Sequence, residues 1–203
     1  MDGTLLRSMR YWRLTTLELL LGRNIIPKPE QAARFYSTSS RALCREVLEE
    51  HGIFMDDMDI LRELEGYMYH HYVNDVTAKP RVGEFLEKLR GAGLPMAVAT
   101  QAPVDFAKMV LGRLGLADEF EFITDGYVHG INKRFPEYFD LMAQMLNVET
   151  KDMCVFEDAL YSMKSAKAAG CPVVAILDDT QKKDWEEIKG LADVCIREYE
   201  ELL

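Results

Sequence analysis

The sequence predicts an α/β fold, a parallel β-sheet core flanked by helices, with an all-helical segment set into the chain near its start. Three observations predict it. After Lys79, short apolar runs alternate with amphipathic helical patterns, as crossover-connected parallel strands require. Residues 8–77 instead carry helical spacing throughout and are rich in Met, Tyr, Arg and Glu. Polar residues able to do chemistry fall where strands would end, the place at which open α/β sheets gather binding groups.

In the helical segment, Leu17, Leu20 and Leu21 share one helix face, and Ile60, Leu61, Leu64 and Met68 repeat the pattern. Pro80 suits a first helical position. Val82, Phe85, Leu86 and Leu89 follow as one apolar stripe until Gly91 and Gly93 stop the helix. Pro95-Met-Ala-Val-Ala99 reads as a buried strand closed by Thr100. A helix over residues 104–114 leads to a second strand, Phe120-Glu-Phe-Ile123. Pro136 opens a helix whose inner face holds Tyr138, Leu141, Met142 and Met145. Met153-Cys-Val-Phe156 is a strand ending in Glu157-Asp158, followed by a small-residue helix to Gly170. The run Val173-Val-Ala-Ile-Leu177, a helix around Trp185 and a short strand at Val194 complete the alternation. The predicted domains are a sheet core, residues 1–7 and 78–203, and a helical domain, residues 8–77.

Composition bounds the function. A hydrophobic content of 48% suits a chain with a substantial core, and the formal charge of −10 argues against nucleic acid and anionic membrane as partners. Cys44, Cys154, Cys171 and Cys195 are far apart, with no CxxC pair and no metal-ligand spacing, and are expected as buried free thiols. With no membrane-length apolar stretch and no signal-peptide pattern, a cytoplasmic protein is expected, monomeric or dimeric.

Asp2-Gly3-Thr4 opens the chain like the turn that follows a strand. Thr100 ends one strand, Glu157-Asp158 end another, and Lys133 lies in a loop between two elements. Taken singly, each has an ordinary reading: a helix cap for Thr100 and for Glu157-Asp158, a solvated charge for Lys133, a turn dipeptide for Asp2-Gly3. Arg10, Tyr11, Trp12 and Arg41 read as surface or packing residues, and the adjacent His70 and His71 as helix-surface residues.

The order of these pieces carries a resemblance. Met1-Asp2-Gly3-Thr4-Leu5, the strand Met96-Ala-Val-Ala-Thr100, the loop Lys133-Arg-Phe-Pro136-Glu137 and Val155-Phe-Glu157-Asp158 with Ser165-Ala-Lys-Ala-Ala-Gly170 resemble the four motifs of the haloacid dehalogenase superfamily, in the family's order. The resemblance covers nearly the whole chain and is to the helical-cap branch, which holds phosphatases and β-phosphoglucomutase-like proteins. It implies a Rossmann-like sheet, with residues 8–77 as a cap that closes over the site.

The resemblance also implies chemistry. Asp2 would be the general acid and base, its backbone carbonyl also holding Mg²⁺. Asp158 would be the main side-chain metal ligand, with Glu157 acting through a water. Thr100, Gln101 and Lys133 would bind the transferring phosphoryl group, aided by the amides of Gly3 and Thr4. The substrate would be a small phosphorylated metabolite, with a sugar phosphate among the candidates. The family's nucleophilic aspartate, which forms an aspartyl-phosphate, would stand one place before Met1 at the end of a central strand absent from these residues. The sequence is therefore expected to begin inside the motif, at its internal methionine. A phosphosugar mutase is the alternative within the family; a catalytically impaired relative that only binds phosphate or a partner is the alternative outside catalysis. Arg7, Gln101 and Ser162 depart from the commonest family residues.

Overall fold

Strands and helices alternate along the second part of the computed structural model, which describes residues 1–35 and 38–203, with residue 127 by its backbone alone. The chain divides into two compact units, Ser8–Val76 and a second formed by Met1–Arg7 with Thr77–Leu203.

The helical unit contains α1 (Met9–Leu21), α2 (Pro29–Ala32), α3 (Ser40–Glu50) and α4 (Asp57–Asn74). The Ser39 and Asp56 side chains accept the Ala42 and Met58 amides, so α3 and α4 each begin on a capped turn. Leu19, Leu20, Leu43, Val47, Ile60 and Leu64 form its core. The buried face of α1 runs through Thr15, Thr16, Leu19 and Leu20, whereas Leu21 at the helix end is exposed. The predicted stripe of Leu17, Leu20 and Leu21 is thus rotated.

The two adjacent histidines also separate. His70 is exposed, but His71 is buried: Nδ1 lies 2.6 Å from Asp75 Oδ2, and Nε2 lies 3.0 Å from both Glu18 oxygens. Tyr11 packs against the ring at 4.7 Å. The helix-surface expectation fails for His71 because α1 supplies a carboxylate that lets the ring be buried without losing its partners.

In the other unit, α5 (Val82–Gly91), β1 (Ala97–Thr100), α6 (Val104–Arg113), β2 (Phe122–Asp125), α7 (Gly126–His129), α8 (Pro136–Leu146), β3 (Val155–Glu157), α9 (Leu160–Ala168), β4 (Val173–Ile176), α10 (Trp185–Leu191) and β5 (Val194–Ile196) follow in order. All ladders are parallel. β1 pairs with β2 from Ala97↔Phe122 to Thr100↔Asp125, and β4 lies between β3 and β5. β2 starts two residues later than predicted, because Ala117–Glu119 forms a 3₁₀ turn and the Glu121 amide bonds the Met96 carbonyl first. Tyr138, Phe139 and Met142 of α8, Met163 of α9, Val173 of β4 and Ile188 of α10 share one core.

Among the described residues, β1 pairs only with β2 and β3 only with β4, leaving two separate ladders. A groove of about 440 Å³ lies between them, walled by Met96, Val98, Val155, Phe156, Leu86 and Met142. Met1–Leu6 forms a tight turn beside it, in which the Met1 carbonyl accepts the Thr4, Leu5 and Leu6 amides. Bonds from Lys79 N to Leu5 O and from Arg7 N to Thr77 O hold the two ends of this unit's chain break together.

None of the four cysteines is in a disulfide. Cys44 and Cys171 are buried and Cys195 half-buried, but Cys154 is exposed, against expectation, since it precedes β3 rather than lying in it. No helix of the described residues is long and apolar enough to cross a membrane.

The His71 cluster predicts a pH dependence. Burial works against the charged ring, but hydrogen bonds to Asp75 and Glu18 outweigh it and raise the His71 pKa above its ordinary 6.5. A raised folded-state pKa gives stability that is complete below the unfolded value and lost as pH rises through the folded value. Urea unfolding followed by circular dichroism is expected to show the helical unit weakening as pH rises above 6.5, and His71→Gln is expected to lack that loss.

Candidate active site

Two of the predicted residues, Lys133 and Glu157, meet at the carboxyl ends of β1 and β3. The loop after α7 carries Lys133 into the interior, where its ammonium donates to Glu157 Oε2 at 2.6 Å and to the Ala99 carbonyl at 3.3 Å. Both side chains are almost fully buried, at 8% and 6% exposed. Burial opposes both charges, yet each charge stabilises the other. The Glu157 carboxyl is held down at about 2 and the Lys133 ammonium is raised above its ordinary value.

Glu157 is fully engaged. Oε1 accepts the Asp158 and Ala159 amides, and Oε2 accepts Lys133 and the Ser162 hydroxyl at 2.9 Å. These four donors occupy the roughly four acceptor positions of a carboxylate. The expected role of Glu157 toward a metal through a water therefore meets a carboxylate already committed to Lys133 and its own helix start.

Asp158, its neighbour, has the opposite environment. It is 3% exposed, accepts the Thr4 hydroxyl at 3.0 Å, and has its pKa raised well above the ordinary value by burial and by the Glu157 charge. Gly3 makes this approach possible. A Cβ on Gly3 would stand 2.2 Å from Asp158 Oδ2, and its φ of +69° lies in the left-handed region.

Thr100 is buried and its hydroxyl accepts the Ala102 amide at 3.1 Å, which leaves the hydroxyl proton to donate elsewhere. Gln101 is exposed and donates to Asn132 Oδ1 at 3.1 Å, so its amide is turned onto the Lys133 loop. The Gly3 and Thr4 amides, expected as phosphate donors, are engaged within their own turn by the Leu6 and Met1 carbonyls. Asp2 is half-buried at the start of this turn and bridges to Leu6 through its backbone.

Sequence reasoning passed over two carboxylates here. Asp178 follows β4 and pairs with buried Lys79 at 3.5 Å, and its charge acts on Asp158. Asp125 ends β2, buried, and accepts the Val104 and Val128 amides. The strand-end rule that singled out Glu157 and Asp158 applies to both.

Among the described residues, no group of three or more His, Cys, Asp or Glu side chains is set to hold a metal ion. The oxygen donors nonetheless suit a hard cation in part. Asp158 is a buried carboxylate that accepts the Thr4 hydroxyl on Oδ1, while its Oδ2 fills the space a Cβ on Gly3 would need.

The family model of haloacid dehalogenase-like hydrolases matches residues 1–170. The chain belongs to that family. It is 29% identical over 122 residues to phosphoglycolate phosphatase of Shigella boydii, a match covering 60% of this chain and 48% of the relative, so the chain spans about half the length of the curated relatives it matches. Its fold is that of a predicted phosphoglycolate phosphatase from Haemophilus somnus, with a TM-score of 0.80 at 18% identity, covering 100% of this chain and 93% of the other. It is also that of β-phosphoglucomutase from Clostridium difficile, with a TM-score of 0.72 at 20% identity, covering 100% and 90%. The same haloacid dehalogenase fold therefore occurs in a phosphatase-like protein and in a mutase.

Two outcomes follow from the site's packing. Lys133→Ala is expected to destabilise the chain by about 3–5 kcal/mol by leaving Glu157 buried without its cation. Adding Glu157→Gln is expected to recover much of that loss in denaturant titrations. Gly3→Ala is expected to cost at least about 1–2 kcal/mol through left-handed backbone strain. The same substitution pushes Asp158 out of its place, which the chemical shifts of Thr4 and Asp158 would register.

Proposed function

We propose that the chain is a Mg²⁺-dependent phosphatase for a small phosphate monoester, with the helical unit as its cap. The observation that carries this reading is a buried ammonium, Lys133, fixed on Glu157 at the end of β3, with the buried Asp158 next in the chain. One is built to meet anionic oxygen, the other to meet a cation. Membership of a hydrolase family and the likeness to phosphoglycolate phosphatases support it.

In this reading Lys133 and the Thr100 hydroxyl hold the phosphoryl oxygens. Lys133 keeps one of its three N–H donors beyond those on Glu157 and Ala99. Glu157 fixes the ammonium in place and Ser162 fixes Glu157. Asp158 and the Asp2 carbonyl would hold Mg²⁺, which when bound offsets the charge of the phosphoryl oxygens. Asp2 protonates the leaving oxygen and then takes a proton from water. The nucleophile that forms the aspartyl-phosphate is assigned to an aspartate one place before Met1, following the family motif.

The test compares the chain as it stands with a form extended by an apolar strand ending in aspartate, using phosphoglycolate, sugar phosphates and an aryl phosphate with Mg²⁺. The extended form is expected to turn over and the short form not. Asp158→Ala in the extended form is expected to lose activity by roughly 10²-fold or more. Equal activity in the short form sinks the nucleophile assignment, and an active Asp158→Ala variant sinks the metal assignment. Binding of phosphate without turnover in either form points to the non-catalytic relative instead.

A further inference from the structure

We propose that Arg134, held over the Tyr161 ring beside Lys133, takes a second oxyanion of the substrate, a carboxylate or a second phosphate. This rests on the placement of the phosphoryl group on Lys133 proposed above. Lys133 and Arg134 are consecutive cations that the fold sends opposite ways. Lys133 is buried on Glu157 at the end of β3. Arg134 is exposed, and its guanidinium carbon lies 4.2 Å from the centroid of the Tyr161 ring. Tyr161 stands in the first turn of α9, one residue before the Ser162 that bonds Glu157. One short stretch of chain, Glu157 to Ser162, therefore anchors both cations. Asn132 steadies the loop that carries them: its Oδ1 accepts the Arg134 amide at 3.0 Å and the Gln101 side chain at 3.1 Å.

Arg134 has no carboxylate partner among the described residues, in a chain of formal charge −10. Arg7, Arg23 and Arg81, by contrast, rest on carboxylates at 3.2, 2.6 and 2.7 Å. A guanidinium attracted to a ring face keeps its fork of N–H donors, which matches the two oxygens of an oxyanion. The ring adds a donor of its own. The Tyr161 hydroxyl makes no hydrogen bond to the described residues. Burial raises its pKa above the ordinary value although Lys133 opposes the rise, so the phenol keeps its proton. The charges of Lys133, Glu157, Asp158 and Arg134 all act on that phenol, so the exposed guanidinium and the buried site share one neighbourhood. The overall charge of the chain works against a ligand with added negative charge, and a preference for one requires a local cation. A merely solvated arginine would give none.

The test titrates the full chain by NMR with ethyl phosphate, phosphoglycolate and ethanediol bisphosphate. The last two add a carboxylate or a phosphate to the same short ester. Metal-free buffer keeps the added group from acting through a metal. Affinity is read from the Thr100 and Lys133 amides, and engagement of the guanidinium from the Arg134 Nε–H. At least one of the two probes with a second oxyanion is expected to bind several-fold more tightly than ethyl phosphate and to shift the Arg134 Nε–H. Which of them does so tells carboxylate from phosphate recognition. Arg134→Gln is expected to bring the affinity ratio near to one, and Arg134→Lys to restore part of it. Equal affinity for all three probes, or a preference that survives Arg134→Gln, overturns the proposal. An Arg134 Nε–H unmoved at millimolar probe, including the case in which no probe binds, overturns it too. A preference without turnover in the phosphatase assay sinks only the phosphatase reading, and turnover without a preference sinks only this one.

Discussion

The Lys133–Glu157 pair joins two ladders that, among the described residues, share no backbone hydrogen bond. Lys133 reaches from a loop to a carboxylate at the end of β3 and to a carbonyl of β1, so a single side chain spans both sheet ends. Taking these two charges out of water costs several kcal/mol per ion unless geometry and further donors compensate. Here they do: Ser162 and two backbone amides complete Glu157. A hydrophobic pair of similar volume could serve stability as well. What it could not supply is a fixed ammonium with a donor in reserve at the place where the strands end.

The neighbouring carboxylates show how environment assigns different chemistry to like groups. Glu157 faces four donors, one of them a cation, and its proton is held off. Asp158, one residue on, is buried in the field of Glu157 and Asp178 with the Thr4 hydroxyl as donor, and burial first of all disfavours its charge. Pairs of titratable groups pushed in opposite directions are characteristic of sites that handle charge. A divalent cation placed against Asp158 would remove that disfavour without touching Glu157. In the proposed reading, the same local field suits the lysine to an anion and the aspartate to a cation.

The sheet core was legible because strands and helices there obey their periods, and every predicted strand exists in the parallel arrangement. Errors came where local pattern yields to tertiary contact. The run Phe120-Glu-Phe-Ile123 looks like a strand by composition, but a 3₁₀ turn delays the pairing, which runs from Phe122 to Asp125. Setting the strand end two residues early hid Asp125 from a search of strand ends. His71 looked like a surface residue because its partner Glu18 lies on another helix. Ser162 was visible only as a departure from family habit. Its bond to Glu157 follows from the first turn of α9 and cannot be read from residue type.

Gly3 shows the same limit most sharply. Within the sequence, Asp2-Gly3 is an ordinary turn dipeptide, and a positive φ would be reason enough for glycine. In the fold, a second constraint arrives from a residue far along the chain: the Asp158 carboxylate occupies the space a Cβ would need. Asparagine, which tolerates left-handed backbone, would satisfy the turn and still collide with Asp158. The backbone argument alone admits two residue types and the packing argument admits one. The motif is therefore fixed by the approach of the first turn to the β3 end, so the glycine belongs to the site rather than to the turn.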